Sequence, residues 1–279
     1  MKCLVVGHLV IDKIVGKGRS ETRMGGGAYY SALALSRFCR VKVVTSVGSD
    51  FPQEWLDELR ERGISIEILP SVESTSYELR YIDGNRRVLT LLSRAEPIRE
   101  LKVGNFDLVL LNPVAGEISP ELVAELAGKR FIAADVQGFI REPAPGSLRL
   151  KPIDGAFLKG VRVLHADLTE FEYVKGLSPS DVEVLLLSDG PNPGIAYFMG
   201  KKYRFKPVRV NVPESTGAGD VFLASFSYFH MRCPFVQALK RAIAFTALFL
   251  ERRNFDATDE EIGEMAMKVS VEKLPSQGL

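Results

Sequence analysis

Short apolar runs recur along the chain, spaced by longer stretches in which apolar and polar positions follow a helical rhythm. The runs are Leu4 to Val6, Val41 to Thr45, Phe106 to Leu111, Phe131 to Asp135, Arg162 to His165 and Val182 to Leu187. A strand that is apolar on both faces is buried on both faces, as parallel strands covered by helices are. The pattern predicts an α/β fold: a doubly wound, mostly parallel sheet in three layers, αβα. One segment departs from it. From Ser74 to Ser93, Tyr77, Leu79 and Tyr81 alternate before Asp83-Gly84-Asn85, and Val88, Leu89 and Leu91 follow. That is the period and turn chemistry of a hairpin. With Ile11 to Val15 and the residues before Met24, it predicts a small second sheet over residues 11–24 and 74–95. No repeat, low-complexity tract or linker divides the chain, so residues 1–279 are expected to form one domain with this sheet attached.

The richest chemistry is Glu214-Ser215-Thr216-Gly217-Ala218-Gly219-Asp220. An apolar stretch from Val221 to Phe229 follows and stops at Cys233-Pro234, so the glycines fall on a helix N-terminus. Unpaired N–H groups and the helix dipole attract phosphate there, and side chains no larger than a methyl allow close approach. Asp220 is then placed to take a proton from a hydroxyl attacking a phosphoryl group. The same residues also suit an ordinary helix cap. A second glycine cluster, Met24-Gly25-Gly26-Gly27-Ala28, precedes the small-residue helical stretch Tyr29 to Phe38.

These two elements, in this order, resemble the two signatures of the ribokinase-like (PfkB) family of carbohydrate kinases, and the resemblance covers most of the chain. It implies a ribokinase-like fold in which the small sheet is a lid over the sugar and a possible homodimer contact. Carried over position by position, Gly217, Ala218 and Gly219 would form the anion hole and Asp220 would be the catalytic base. Asp12, Gly26, Gly27, Tyr30 and Gln137 would bind substrate, and Ser188, Gly190, Gly194, Thr216, Gly217 and Gly219 would border ATP. Asp167 and Glu170, in Asp167-Leu168-Thr169-Glu170, stand where the family has Asn-x-x-Glu, and would act on Mg2+ through water. Tyr30 replaces the usual asparagine of the first signature and Glu214 the usual aspartate of the second. Tyr29-Tyr30 and Asp135-Val136-Gln137-Gly138 look more like inositol kinases of this family than like ribokinase proper, so a cyclitol such as myo-inositol is the favoured substrate. An aromatic face covering the ring while Asp12 and Gln137 bind hydroxyls would suit a neutral polyol. Ribose and fructose-type sugars stay open. So do 2-keto-3-deoxygluconate, with Arg80, Arg86, Arg87 and Arg94 as carboxylate ligands, and a nucleoside against Tyr77, Tyr81 or Phe139. A catalytically silent nucleotide-binding regulator is the alternative of a different class. It leaves Asp220 without a use.

Composition adds exclusions. The net charge of +1 across 279 residues shows no basic excess for nucleic acid or an anionic membrane. The longest apolar run near the end, Ala242 to Leu250, is too short to span a bilayer and reads as a buried helix. A first strand almost at Met1 leaves no room for a signal peptide, and a cytoplasmic enzyme is expected. Cys3, Cys39 and Cys233 are scattered, without zinc-ligand spacing or a disulfide framework. Few Asn and Gln beside many Glu, Lys and Arg is the balance of heat-adapted proteins. His8, His165 and His230 each stand alone and read as packing or surface residues.

Overall fold

The computed structural model describes residues 1–16, 19–83, 86–212 and 214–275. Its middle layer is a ten-stranded sheet in the order Ser270–Lys273, Lys201–Lys206, Gly194–Phe198, Val184–Ser188, Val163–Asp167, Ile132–Asp135, Leu108–Leu111, Lys2–Val6, Arg40–Val47 and Ser65–Pro70. From Val184–Ser188 onward the seven strands are parallel, and all six predicted runs are among them. The first three strands extend the sheet antiparallel.

Alternate side chains of each central strand enter opposite cores. In Lys2–Val6, Cys3 and Val5 pack under the helices Gly27–Ser36, Ala218–His230 and Phe235–Arg252, whereas Leu4 and Val6 face Pro120–Leu126 and Gln137–Ile140. Both cores exclude water, which is why the strands read as unbroken apolar runs. Fully buried side chains such as Phe226, Phe245 and Leu4 each contribute about 2 kcal/mol. Helix Gly27–Ser36 is apolar nearly all round because it lies between the sheet and Ala218–His230.

Strand Lys2–Val6 has Arg40–Val47 on one side and Leu108–Leu111 on the other, so the strand order reverses there. Crevices at carboxyl ends beside such a reversal are where ligands of open α/β sheets bind. Over this crevice lies a five-stranded sheet in the order Gly146–Ser147, Arg86–Ser93, Thr75–Asp83, Val10–Gly16 and Arg19–Gly25. It is built from the segments expected to form the small second sheet, with Gly146–Ser147 added, and is called the lid for its place; Gly84 and Asn85 of the predicted turn lie outside the described residues. Val10, Tyr77, Leu79 and Leu91 close its inner face against Val114 and Ala115. The lid root is latched by His8, whose ring nitrogens meet Thr75 Oγ1 at 2.7 Å and Glu96 O at 3.0 Å. Burial pushes its pKa down. The buried Glu117 carboxylate accepts the N–H groups of His8, Val114 and Ala115.

Candidate active site

The heptapeptide folds as its residue types require. Gly217 caps helix Ala218–His230 with a φ of 84°, a conformation that glycine adopts without strain. A Cβ there would also stand 2.4 Å from the Tyr30 ring. The first intrahelical bond runs from Val221 N to Gly217 O at 3.0 Å, so Gly219 and Asp220 present N–H groups ahead of it. The loop before the helix is held by Arg253, which donates to Glu214 O at 3.1 Å and Thr216 O at 3.0 Å. Arg23 of the lid forms a two-pronged ion pair with the Glu214 carboxylate and so clasps lid to loop.

Asp220 sits in the first turn of this helix. Asn112 Nδ2, from the end of the neighbouring parallel strand, donates to its Oδ1 at 3.2 Å. Burial, joined by the negative charge of Asp135, pushes the Asp220 carboxyl up to about 7, against the opposing pull of His165, Arg141 and the Asn112 hydrogen bond. A carboxylate so placed can accept a proton near neutral pH.

The three glycines have three jobs. A Cβ on Gly25 would fall 2.0 Å from Asp12 Oδ2, and one on Gly27 would fall 2.6 Å from Asp220 Oδ1. Between them Gly26 turns the chain with a φ of 93° into helix Gly27–Ser36. The cluster therefore lets two carboxylates, both on the cavity wall, lie against one backbone turn.

The rest of the rim converges on the same space. Asp12, Gly26, Gly27, Tyr30, Gln137, Asp167, Glu170, Ser188, Gly190 and Thr216 to Asp220 all line one cavity of 460 Å³. Gly194 does not. It lies against the Phe205 ring, where a Cβ would come within 2.2 Å, so its place is a packing contact between two antiparallel strands and not a nucleotide contact. Tyr30 also differs from expectation: only 5% exposed, it packs its ring against Gly217 and stands edge-on to Phe249. It props the anion-binding turn while also forming part of the cavity wall. Phe139 is buried against Phe157, and Arg94 donates to the carbonyls of Ala115 and Gly116, so neither serves the nucleoside or keto-acid site expected of it. Arg80 is turned to Glu78 on the lid. The side chains of Tyr81, Arg86 and Arg87 lie outside the described residues.

Asp167 and Glu170 form a capping box. Asp167 Oδ1 accepts Thr169 N at 2.9 Å, and Glu170 Oε2 accepts Asp167 N at 3.1 Å, on the short helix Leu168–Phe171. Glu170 Oε1 also takes Gln137 Nε2 at 3.3 Å. Burial and Asp135 hold the Glu170 carboxyl above its usual range. Among the described residues no group of three or more His, Cys, Asp or Glu side chains is placed to hold a metal ion directly.

His165 and Arg141 were not foreseen. His165 is no isolated packing residue: it meets Asp135 Oδ2 at 2.6 Å and Ser188 Oγ at 3.1 Å, beneath Gly219. Burial disfavours its cation, but the Asp135 hydrogen bond and charge outweigh this and raise its pKa. Arg141 lines the cavity at the lid side, over the Tyr77 ring and 3.3 Å from Val114 O. Its buried Nε has no hydrogen-bond partner among the described residues. Local pattern gave no signal for Arg141, because it lies just past the short helix Gln137–Ile140 in extended backbone. The cavity wall also includes the apolar residues Phe205, Pro207, Val208, Ile243, Ala247 and Leu250. No helix of the described residues is long and apolar enough to cross a membrane.

Comparisons with known proteins accord with this geometry. A cytidine kinase of Thermococcus kodakarensis is 27% identical over 135 residues, which span 46% of this chain and about half, 49%, of that protein. Among solved structures, a pyrophosphate-dependent kinase of the ribokinase family complexed with a pyrophosphate analogue and myo-inositol superposes with a TM-score of 0.79. It is 25% identical, covering 94% of this chain and 99% of its own. A pyrophosphate-dependent myo-inositol-1 kinase converted into a myo-inositol-3 kinase by replacing an asparagine and a serine with leucine gives 0.80 at 25% identity, covering 95% and 99%. The family model for pfkB carbohydrate kinases matches residues 2–261, and the chain belongs to that family of phosphotransferases, which act on an alcohol group.

Proposed function

We propose that this protein transfers the terminal phosphoryl group of ATP to a hydroxyl of a cyclitol, myo-inositol being the favoured substrate. The observation that carries the reading is Asp220, a carboxylate with its pKa near neutrality on a glycine-rich helix N-terminus. The acceptor hydroxyl would lie against Asp220, which takes its proton as the oxygen attacks phosphorus. The N–H groups of Gly219 and Asp220 would receive charge on the phosphoryl oxygens, already positioned before reaction begins. Asp12, Gln137 and Arg141 would bind the remaining hydroxyls. Asp167 and Glu170 offer the hard oxygen donors that suit Mg2+; because both carboxylates also cap the helix, they would reach it through water. The ion would neutralise donor phosphates.

Two observations favour a nucleotide over pyrophosphate as donor. The apolar slot of Phe205, Val208, Ile243 and Leu250 suits a flat base, for which pyrophosphate has no counterpart. Arg141 is the only Lys or Arg among the described residues of the cavity wall, a sparse cation supply for so small and highly charged an anion. Pyrophosphate remains the second reading, because the inositol-binding neighbours use it.

One feature of the lid bears on the acceptor position. Leu79 and Leu89 face each other across its hairpin, and both line the cavity. myo-Inositol has a mirror plane, so turning the ring over exchanges its 1- and 3-hydroxyls, and the apolar or polar character of one wall decides which reaches the base. The 3-hydroxyl is the favoured acceptor by analogy with the neighbour that two leucine substitutions converted into a myo-inositol-3 kinase. The test offers ATP or pyrophosphate, with Mg2+, to myo-inositol, ribose, fructose 6-phosphate, 2-keto-3-deoxygluconate and cytidine, with Asp220→Asn as control. We expect ATP-dependent formation of the 3-phosphate, resolved from its mirror image by chiral chromatography. Faster transfer to cytidine would refute the substrate, and pyrophosphate outpacing ATP would refute the donor.

A further inference from the structure

The Sγ atoms of Cys3 and Cys39 lie 2.7 Å apart. Hydrogen bonds between lighter atoms have this length; two thiol sulfurs, being larger, rest roughly a full ångström farther apart unless they are bonded, and a disulfide brings them to about 2.05 Å. Cys3 is fully buried in the first strand, and Cys39 is half-buried just beyond helix Gly27–Ser36. The surroundings hold both elements close: Arg40 N donates to Met1 O at 3.2 Å, and Cys3 is registered with Val41. Cys233, on the turn after Ala218–His230, has its Sγ on Phe229 O instead.

We propose that Cys3 and Cys39 are a disulfide-forming pair, oxidised by a low-molecular-weight disulfide. The Cys39 thiolate attacks one sulfur of the oxidant, forming a mixed disulfide and releasing one thiolate. Cys3 then attacks the Cys39 sulfur, loses its proton to solvent and releases the second thiolate. Two protein thiols are oxidised and one external disulfide is reduced to two thiols. The Cys39 contact and burial hold the Cys3 thiol well above its usual range, so the closing step belongs to the stage before Cys3 is sealed in the core.

The bond would matter to the lid. The chain between the two cysteines carries lid strands Val10–Gly16 and Arg19–Gly25, and the elements they join are the two that the bridge would tie. One continues into Asp12 and the other begins with Gly27, so a closed bridge would fix the base of the lid. The loop is long enough for a large effect on the unfolded chain. Disulfides inside heat-adapted cells are also well attested, and this sequence has their residue balance.

The experiment unfolds the purified protein in urea with reductant, refolds it by dilution into oxidised glutathione, denatures it again without reductant, alkylates it with iodoacetamide and determines its mass, with peptide mapping. One alkylated cysteine, Cys233, together with a linked Cys3–Cys39 peptide is expected, and a melting temperature roughly 5–10 °C higher than after reduction. Cys39→Ser should show two alkylated cysteines and no effect of reductant on melting. Three alkylated cysteines in the wild type, or a linkage that involves Cys233, would overturn the proposal.

Discussion

Replacing Asp220 with Asn should remove activity and, above neutral pH, make the protein more stable. Asn keeps the shape and can still meet Asn112, but it neither accepts the proton nor carries charge. Loss of a positioned base costs about 10²–10⁴ in transfer. For stability the sign follows from the carboxyl group, whose pKa rises from an ordinary 3.8 to about 7 on folding. The folded state prefers the protonated form, so stability falls as pH climbs from 3.8 and levels off above about 7. At about 1.4 kcal/mol per pH unit the ceiling on this loss is about 4 kcal/mol. Solvent in the open cavity screens part of it, and about 2 kcal/mol is a reasonable expectation. Melting temperature and ATP-dependent transfer, followed from pH 4.5 to 8.5, supply the check. The variant should be inactive throughout and gain several degrees over wild type at pH 8 but little at pH 4.5. A variant less stable than wild type at pH 8, or one that still turns over, would refute the reasoning.

Three other perturbations test neighbouring parts of the site. Gly27→Ala puts a Cβ 2.6 Å from Asp220 Oδ1 and 3.0 Å from Asn112 Cβ, so transfer should fall about a hundredfold while thermal melting, which checks folding, barely changes. Arg141→Gln should raise the KM for the polyol about tenfold and move the acidic limb of the pH–rate profile upward, because Arg141 helps keep Asp220 ionised; steady-state kinetics with an unchanged KM and limb would remove Arg141 from the site. Burial works against the Glu214 charge, but the Arg23 and Thr216 hydrogen bonds prevail and hold the carboxyl at about 2. Its contribution is therefore complete above about pH 4.5 and lost as pH falls toward 2. Glu214→Gln should lose about 1–2 kcal/mol in urea unfolding at pH 7, the pair being partly exposed, and progressively less at pH 3.

Much of the architecture is local information. Continuous apolar runs such as Leu108–Leu111 become central parallel strands because both faces are dry, and the alternation around Leu79 and Leu89 becomes a lid because one face is wet. The edges of the sheet were less legible. Ser65–Pro70 and Ser270–Lys273 carry mixed, half-exposed patterns whose strand character comes from their neighbours.

Within the site, the chain order determined the glycine turns and Asp220, since glycine's backbone freedom and a helix start are properties of a few adjacent residues. Tertiary structure decided which groups face one another across the crevice. Gly194 and Tyr30 have local signatures of ligand contacts but were claimed by packing, one under Phe205 and the other under Gly217. His165 gained its role from Asp135, 30 residues away, and Cys3 met Cys39 only where strand and helix docked. Contact and charge act through distance in space, and spacing along the chain records that distance only within a single turn, strand or helix.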